Sequence, residues 1–591
     1  MEIKVVIACA ASKRGLPILA SLIICYLASV KFRQWRHRRN LESRLYKKHK
    51  QLEKDRVRFL ESLPPTASND ALCEMSTTEL RRELQAGRVT SLEVLQAFQR
   101  RAAKLLPRNC IAEVFLDAQK VASGCTAINP ALPLCGIPVS LKEQIQIIGY
   151  DCPLGLVKKV LYPATVDAVV VKMLKIGQAI PFISSSMSPA GLSLNSSNEI
   201  YGKQRHLLDD ARLSGGSSGG EAMLIAAGAS PLGFATDLGG SSRIPSSFCG
   251  ICCLKPTSRR VSLYGVFTRY KRAVLHIDST VSLLSRKVDS LVDGMRCLCQ
   301  PLQNELDPYT VPIPFDEAKF ADNTRLVIGY YVELSESGIP APVPAVQRAL
   351  AEVRYLLEKA GHTLVPFQPP NPRYGEELFT ACVYADGGYQ YCGALHDEPI
   401  NEHLQTITSF LKIPAFLRRF LSLLIRSTSH NFAQYAINTC GRQRGADMLR
   451  LNCDVASYVK KVAQAMVTAQ PRPIDLILCP ATAFPAPSDS VSSILLESCQ
   501  SYCGLWNLTD FPAGVVPVSH VTESDEAEAL KMAQELRTTS GSYVSRKLHE
   551  MQKATMGLPL AVQLVGRPMH EETVLRVMKE IEVMAAFSYT V

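Results

Sequence analysis

Two glycine-serine turns, one helix apart, constrain this chain more than any other feature. The first, Ser214-Gly-Gly-Ser-Ser-Gly-Gly, runs directly into an apolar, alanine-rich stretch from Glu221 to Gly228. The second, Asp237-Leu-Gly-Gly-Ser-Ser-Arg-Ile-Pro, ends at Pro245 and follows the strand-like segment Pro231 to Thr236. Glycine permits close backbone approach, so the pattern predicts a tight loop, a helix packed on it, a strand, and a second loop that presents Ser241 among small residues. A flexible linker is not followed at once by an apolar helix and a similar turn. A phosphate-binding loop would end in Gly-Lys-Ser/Thr, whereas Gly219-Gly220-Glu221 places an acid there. A serine hydrolase is the third reading, and it needs a base. No Gly-x-Ser-x-Gly elbow surrounds Ser241, and no nearby His has an Asp partner suggested by sequence.

Short apolar runs recur along the body: Ile137-Pro-Val-Ser-Leu, Val169-Val-Val, Ile180-Pro-Phe-Ile, Leu326-Val-Ile-Gly-Tyr, Leu476-Ile-Leu-Cys, Gly514-Val-Val-Pro-Val and Ala561-Val-Gln-Leu-Val. Helical stretches lie between them, which predicts an α/β layer structure around one sheet. The body opens at Ser76-Thr-Thr-Glu, a helix start in which a hydroxyl cap is followed by Glu79. One catalytic domain is expected over residues 66–591.

Three of these segments together carry a family resemblance. Lys142 within Gly136-Ile-Pro-Val-Ser-Leu-Lys-Glu, the Gly215-Gly-Ser-Ser-Gly-Gly loop and Asp237-Leu-Gly-Gly-Ser-Ser-Arg resemble the amidase-signature family, and within it the fatty-acid amide hydrolases. Further matches run through Phe248-Cys-Gly-Ile-Cys-Cys-Leu-Lys-Pro-Thr, Ala360-Gly-His-Thr-Leu-Val-Pro-Phe, Asp510-Phe-Pro-Ala-Gly-Val-Val-Pro-Val and Gly557-Leu-Pro-Leu-Ala-Val-Gln-Leu-Val-Gly. The resemblance implies a mixed twisted sheet covered by helices, a homodimer, and hydrolysis of fatty-acid amides without cofactor or metal. It also implies Ser241 as nucleophile, Ser217 as proton relay and Lys142 as base. The amides of Leu238, Gly239, Gly240 and Ser241 would form the oxyanion hole, with Ser217 and Gly191 also at the substrate. Chemistry requires the lysine pKa to fall from about 10.4 to about 7–8, hence burial without a compensating carboxylate, so adjacent Glu143 is expected to point away. Ser218 and Arg243 are expected to support the loops.

The chain departs from the family at Gly202-Lys-Gln-Arg-His-Leu, where Gly-x-Thr-x-Asn-Pro is common, and at Ser214, where proline is usual. A Gly-Pro pair before Arg286 is also missing, its place falling near Leu283-Leu284-Ser285. These departures leave a second reading open, a catalytically weakened relative that binds lipid amides or acts as a membrane-bound partner.

The basic excess is confined to the N-terminus. Residues 1–60 hold 15 Lys and Arg against 4 Asp and Glu, while the remainder has 50 of each sign. A neutral body with a basic head points to an anionic membrane surface rather than nucleic acid. From Gly15 to Val30 no charge occurs, with Lys13 and Arg14 before it and Lys31, Arg33, Arg36, Arg38 and Arg39 after it. This predicts a membrane anchor over residues 1–32, a basic helical linker over 33–65, and a cytosolic body at an intracellular membrane such as the endoplasmic reticulum. Sixteen residues at about 1.5 Å each span about 24 Å, less than the roughly 30 Å hydrocarbon core, so an interfacial anchor stays open beside a span. A second contact is expected at residues 407–427, where apolar, aromatic and exclusively cationic residues occur together, Pro414 divides two helices, and Lys412, Arg419 and Arg426 share one side. The 19 cysteines, scattered without regular spacing, fit reduced thiols, and Cys249-Gly-Ile-Cys252 reads as buried packing.

Overall fold

The computed structural model describes residues 15–64, 70–267, 277–334, 339–425, 430–442, 444–491, 493–538 and 543–589. Its strands are β1 (Ile111–Val114), β2 (Pro138–Lys142), β3 (Ile180–Ser185), β4 (Gly233–Asp237), β5 (Cys252–Lys255), β6 (Thr280–Ser285), β7 (Val327–Tyr330), β8 (Thr363–Pro366), β9 (Leu476–Pro480), β10 (Ala513–His520) and β11 (Pro559–Gly566). Among the described residues these eleven form one sheet, in the order β1-β3-β2-β4-β6-β5-β10-β11-β9-β7-β8. The sheet is mixed: β2 runs parallel to β3 and β4, β7 parallel to β8 and β9, and the other pairs are antiparallel. Strands β2, β3, β4 and β11 are buried along their whole length, because helices cover both faces, and they therefore read as continuous apolar runs.

Local chemistry explains most boundaries. Ser76 caps the Thr77–Gln85 helix in a reciprocal pair with Glu79, and Thr90 and Glu93 do the same for Ser91–Ala103. The run at Val169, expected as a strand, instead opens the helix Val169–Ile176. Lys172 and Lys175, three apart, turn outward while the valines, Met173 and Leu174 turn inward, and that spacing outweighs the β preference of three valines. The described cysteines are free thiols; Cys249 ends one helix and Cys252 begins β5, both buried.

The expected anchor and linker form a single helix, Gly15–Glu61. Lys13 and Arg14 lie outside the described residues, as do the side chains of residues 15–27. Among the described residues no helix is long and apolar enough to cross a membrane. The second half of this helix is docked on the body: Leu41 and Leu52 pack with Ala112, Val157, Val160, Ile200 and Tyr201. Lys48 is buried, donating to Asp151 Oδ2 at 2.7 Å and to a Glu113 carboxylate oxygen.

Two helices, Glu402–Lys412 and Ala415–Ile425, flank Pro414. Phe416, Phe420, Leu423 and Leu424 on the second are 69, 56, 68 and 60% exposed. Arg418 departs from the expected cationic surface: it is buried and donates to the carbonyls of Thr439 (2.7 Å) and Gly387 (3.3 Å). Arg426 lies outside the described residues.

Candidate active site

Parallel neighbours β2 and β4 bring their carboxyl ends to one edge of the sheet. Lys142 closes β2, and Asp237 closes β4 ahead of the Leu238–Ser241 turn. The Ser214–Ser218 loop lies over both, leading into the buried helix Gly219–Ala226. A Ser218 N–H to Ser241 carbonyl bond of 3.1 Å ties the loop to the turn, and the Gly216–Ser217 peptide is cis. Glycine is required at 216 by proximity, since a Cβ there would come within 2.3 Å of the Ser193 carbonyl oxygen.

Lys142 is completely buried, with Nζ 2.8 Å from Ser217 Oγ and 2.8 Å from Ser218 Oγ. Among the described residues it forms no ion pair. Burial pushes its amine down to about 7, against the opposing fields of Asp237, Glu143 and Glu221. Each of those carboxyls is engaged elsewhere. Glu143 accepts from the Tyr201 hydroxyl at 2.9 Å, and burial raises it to about 8. Glu221 accepts from Ser140 and Ser185, and burial raises it to about 7. Asp237 is desolvated too, but the Arg243 guanidinium holds it well below the usual carboxylate range.

Asp237 and Arg243 organise the second turn. Arg243 reaches Asp237 Oδ1 (3.0 Å) and Oδ2 (3.1 Å), Gln563 (2.8 Å) and Asn507 (2.5 Å). Asp237 also accepts from the amides of Gly240 (2.8 Å), Ser242 (3.2 Å) and Arg243 (3.3 Å). The Gly240 N–H is thereby taken, a departure from the expectation that four amides converge on one oxyanion. The amides of Leu238, Gly239 and Ser241 find no acceptor among the described residues. Gly239 is walled by Phe379 and Gln500, which a Cβ would meet at 2.8 and 2.6 Å.

The structure brings Lys142, Ser217 and the Ser241 turn together. Gly191 is beside them: a Cβ on it would stand 3.7 Å from Ser217 Oγ, while its own N–H is spent on the Ser188 carbonyl at 2.9 Å. Sequence reasoning underrated Ser218, which touches the lysine as closely as Ser217 does. It passed over Tyr201, whose partner Glu143 follows the lysine directly. The departures at 202–206 and 214 form a buried brace under the loop. Ser214 donates to Gln204, Gln204 Nε2 to Ser186 Oγ (3.1 Å), and Ser196 Oγ to the Gly215 carbonyl (2.8 Å).

The Amidase family model matches residues 93–575. The chain is 34% identical over 530 residues to Fatty-acid amide hydrolase 1 of Sus scrofa, covering 88% of each protein. It is also 34% identical over 532 residues to Fatty acid amide hydrolase 1 of Caenorhabditis elegans, covering 88% of this chain and 89% of that one. Among solved structures, a fatty acid amide hydrolase aligns with a TM-score of 0.72 at 23% identity, over 93% of this chain and 97% of its own. A 6-aminohexanoate cyclic dimer hydrolase aligns with a TM-score of 0.65 at 17% identity, over 87% and 98%. These two likenesses speak to the fold.

Proposed function

The chain belongs to the amidase family and is an amide-hydrolysing enzyme, and on that premise we propose that it cleaves fatty-acid amides, N-acylethanolamines and primary fatty amides, at a membrane through a Ser-Ser-Lys relay. The observation that carries this is the buried Lys142 amine, without a carboxylate partner among the described residues and 2.8 Å from Ser217 Oγ. An uncharged amine there accepts the Ser217 proton while Ser217 accepts that of Ser241, so the Ser241 oxygen attacks the amide carbon. The amides of Leu238, Gly239 and Ser241 receive the developing oxyanion, a task in which one lost donor costs about 100- to 1000-fold. The C–N bond then breaks and the proton returns along the same path to the leaving nitrogen, releasing amine and leaving an acyl ester on Ser241. Water, deprotonated by the same relay, attacks that ester; the acid leaves and Ser241 regains its proton. Gly191 lines the substrate side of Ser217.

The membrane side rests on two features. The face carrying Phe416, Phe420, Leu423 and Leu424 is exposed, and large exposed apolar patches are rare without a partner. The apolar Gly15–Val30 end of the long helix supplies a second attachment, the two acting together to hold the body at the surface of an intracellular membrane. The relatives' names supply the fatty-amide substrate class, and a homodimer is part of the same proposal.

A fluorophosphonate probe and a series of fatty amides test the reading on detergent-solubilised protein. Wild type should be labelled and should hydrolyse long-chain amides faster than short ones, and Ser241→Ala should lose both properties. A folded, unlabelled wild type would instead mark a weakened relative that binds lipid amides, and equal rates on short soluble amides would remove the lipid assignment.

A further inference from the structure

The Gly15–Glu61 helix does not seal against the body along its whole length. Where it passes residues 199–202 it leaves a cleft of about 420 Å³, within the roughly 300–1,000 Å³ of small-ligand sites. The helix side is a single face, with positions 49, 52, 53, 56, 57 and 60 recurring at three- and four-residue spacing. Leu52, Val57, Leu60 and Ile200 make one wall apolar, and Val57 and Leu60 are still 48 and 46% exposed, so part of the apolar lining faces solvent.

Arg56 stands among them. Its guanidinium is partly buried, yet it forms no hydrogen bond or ion pair with any described residue. Burial pulls its pKa below the usual value, and no carboxylate offsets the shift. Glu53 and Glu199 lie on the exposed rim of the cleft and do not pair with it. A partly desolvated cation beside apolar surface is stabilised by an anion that brings its own hydrocarbon, and a planar guanidinium matches a carboxylate in two-point geometry. The cleft floor is Tyr201, the residue that bonds Glu143 next to Lys142.

We propose that this cleft binds a long-chain carboxylate, with its head on Arg56 and its first methylenes along Leu52, Val57, Leu60 and Ile200. The choice of ligand rests on the fatty-amide reading above, because hydrolysis of such an amide releases this acid. The cleft lies outside the catalytic loops and borders them at Tyr201, whose hydroxyl bonds Glu143, and at Gly202, two residues before Gln204 of the brace. An occupant would therefore sense product without entering the site that makes it.

The test uses the full-length, detergent-solubilised protein and an octadecanoic acid carrying a photoreactive diazirine on its chain, with labelled peptides mapped by mass spectrometry. Label is expected on residues 49–60 or 199–202, at least tenfold weaker in Arg56→Met and with the methyl ester of the probe. Leu60→Glu, on the exposed lip, should weaken it as well, so the outcome does not hang on one variant folding. Label in the cleft that survives both Arg56→Met and esterification would reduce the site to a greasy surface, and label confined to the catalytic loops would remove it. Turnover assays read the other proposal separately: a chain that hydrolyses fatty amides but takes no label in the cleft loses only this inference, and one labelled there but inert retains it.

Discussion

Ser218 Oγ stands as near to Lys142 Nζ as Ser217 Oγ does, 2.8 Å in each case. One amine thus has two hydroxyl neighbours, and only one of them is needed to pass a proton. In the proposed relay Ser217→Ala breaks the path and should lower kcat by about 100- to 10,000-fold, the range of general acid-base catalysis. Ser218→Ala removes one hydrogen bond, worth about 1 kcal/mol, and should lower kcat by no more than about tenfold. Steady-state kinetics on one fatty amide separate the two; losses in the opposite order would give Ser218 the relay.

The Lys142 amine sits at about 7 and must be uncharged to accept a proton. The protonated form dominates at lower pH, so kcat/KM should rise with pH through about 7 and fall about tenfold per unit below it. Lys142→Ala should hurt an amide more than its matched ester, since an amine leaving group needs the returned proton and an alkoxide needs it less. Equal losses would deny the lysine its acid role.

Arg243→Met would leave Asp237 buried without its cation, a change that costs about 3–5 kcal/mol. A lower thermal midpoint should accompany loss of activity, and Arg243→Lys should not restore it, because the guanidinium serves Asp237, Asn507 and Gln563 at once. The sign with pH follows from the depressed Asp237 pKa: its contribution is present above the unfolded value of about 3.9 and is lost as pH falls below it.

Glu143 runs the other way. Its folded value of about 8 lies far above the unfolded value of about 4.3, so between them the folded state holds a proton that the unfolded chain has released, and stability falls as pH rises through that window. Glu143→Gln keeps an acceptor for Tyr201 and removes this penalty, which reaches about 4 kcal/mol by neutral pH. Melting curves of both proteins at acid and neutral pH should diverge as pH rises; parallel curves would mean that Glu143 is ionised in the fold.

Phe416→Arg with Phe420→Arg should weaken binding to phospholipid vesicles at least tenfold, each aromatic ring contributing about 2 kcal/mol when buried in lipid. Both residues are exposed, so thermal stability should not change. Undiminished vesicle binding would move the attachment to the N-terminal helix alone.

The sheet was legible where its strands are buried on both faces, because β2, β3, β9, β10 and β11 then become unbroken apolar runs flanked by punctuation. Val169 misled because three β-branched residues look like such a run until Lys172 and Lys175 are given helical spacing. Ser241 stands out by its turn of small residues, but Ser217 takes its role from the family resemblance alone, Ser218 shares its glycine setting, and only the folded loop tells which hydroxyls face the amine. Lys48 and Arg418 lie in cationic stretches that read as solvated. What buries them are acceptors far away in sequence, Glu113 and Asp151 for one and the Gly387 and Thr439 carbonyls for the other, and periodicity carries no trace of these.

The Gly15–Glu61 helix is 47 residues long, about 70 Å at about 1.5 Å per residue, and Lys48 is bolted to the body by two carboxylates. It therefore behaves as a shaft rather than a tether. Whatever grips the apolar end also sets the compass bearing of the enzyme, and a single residue added near Arg38 would swing that bearing by about 100°.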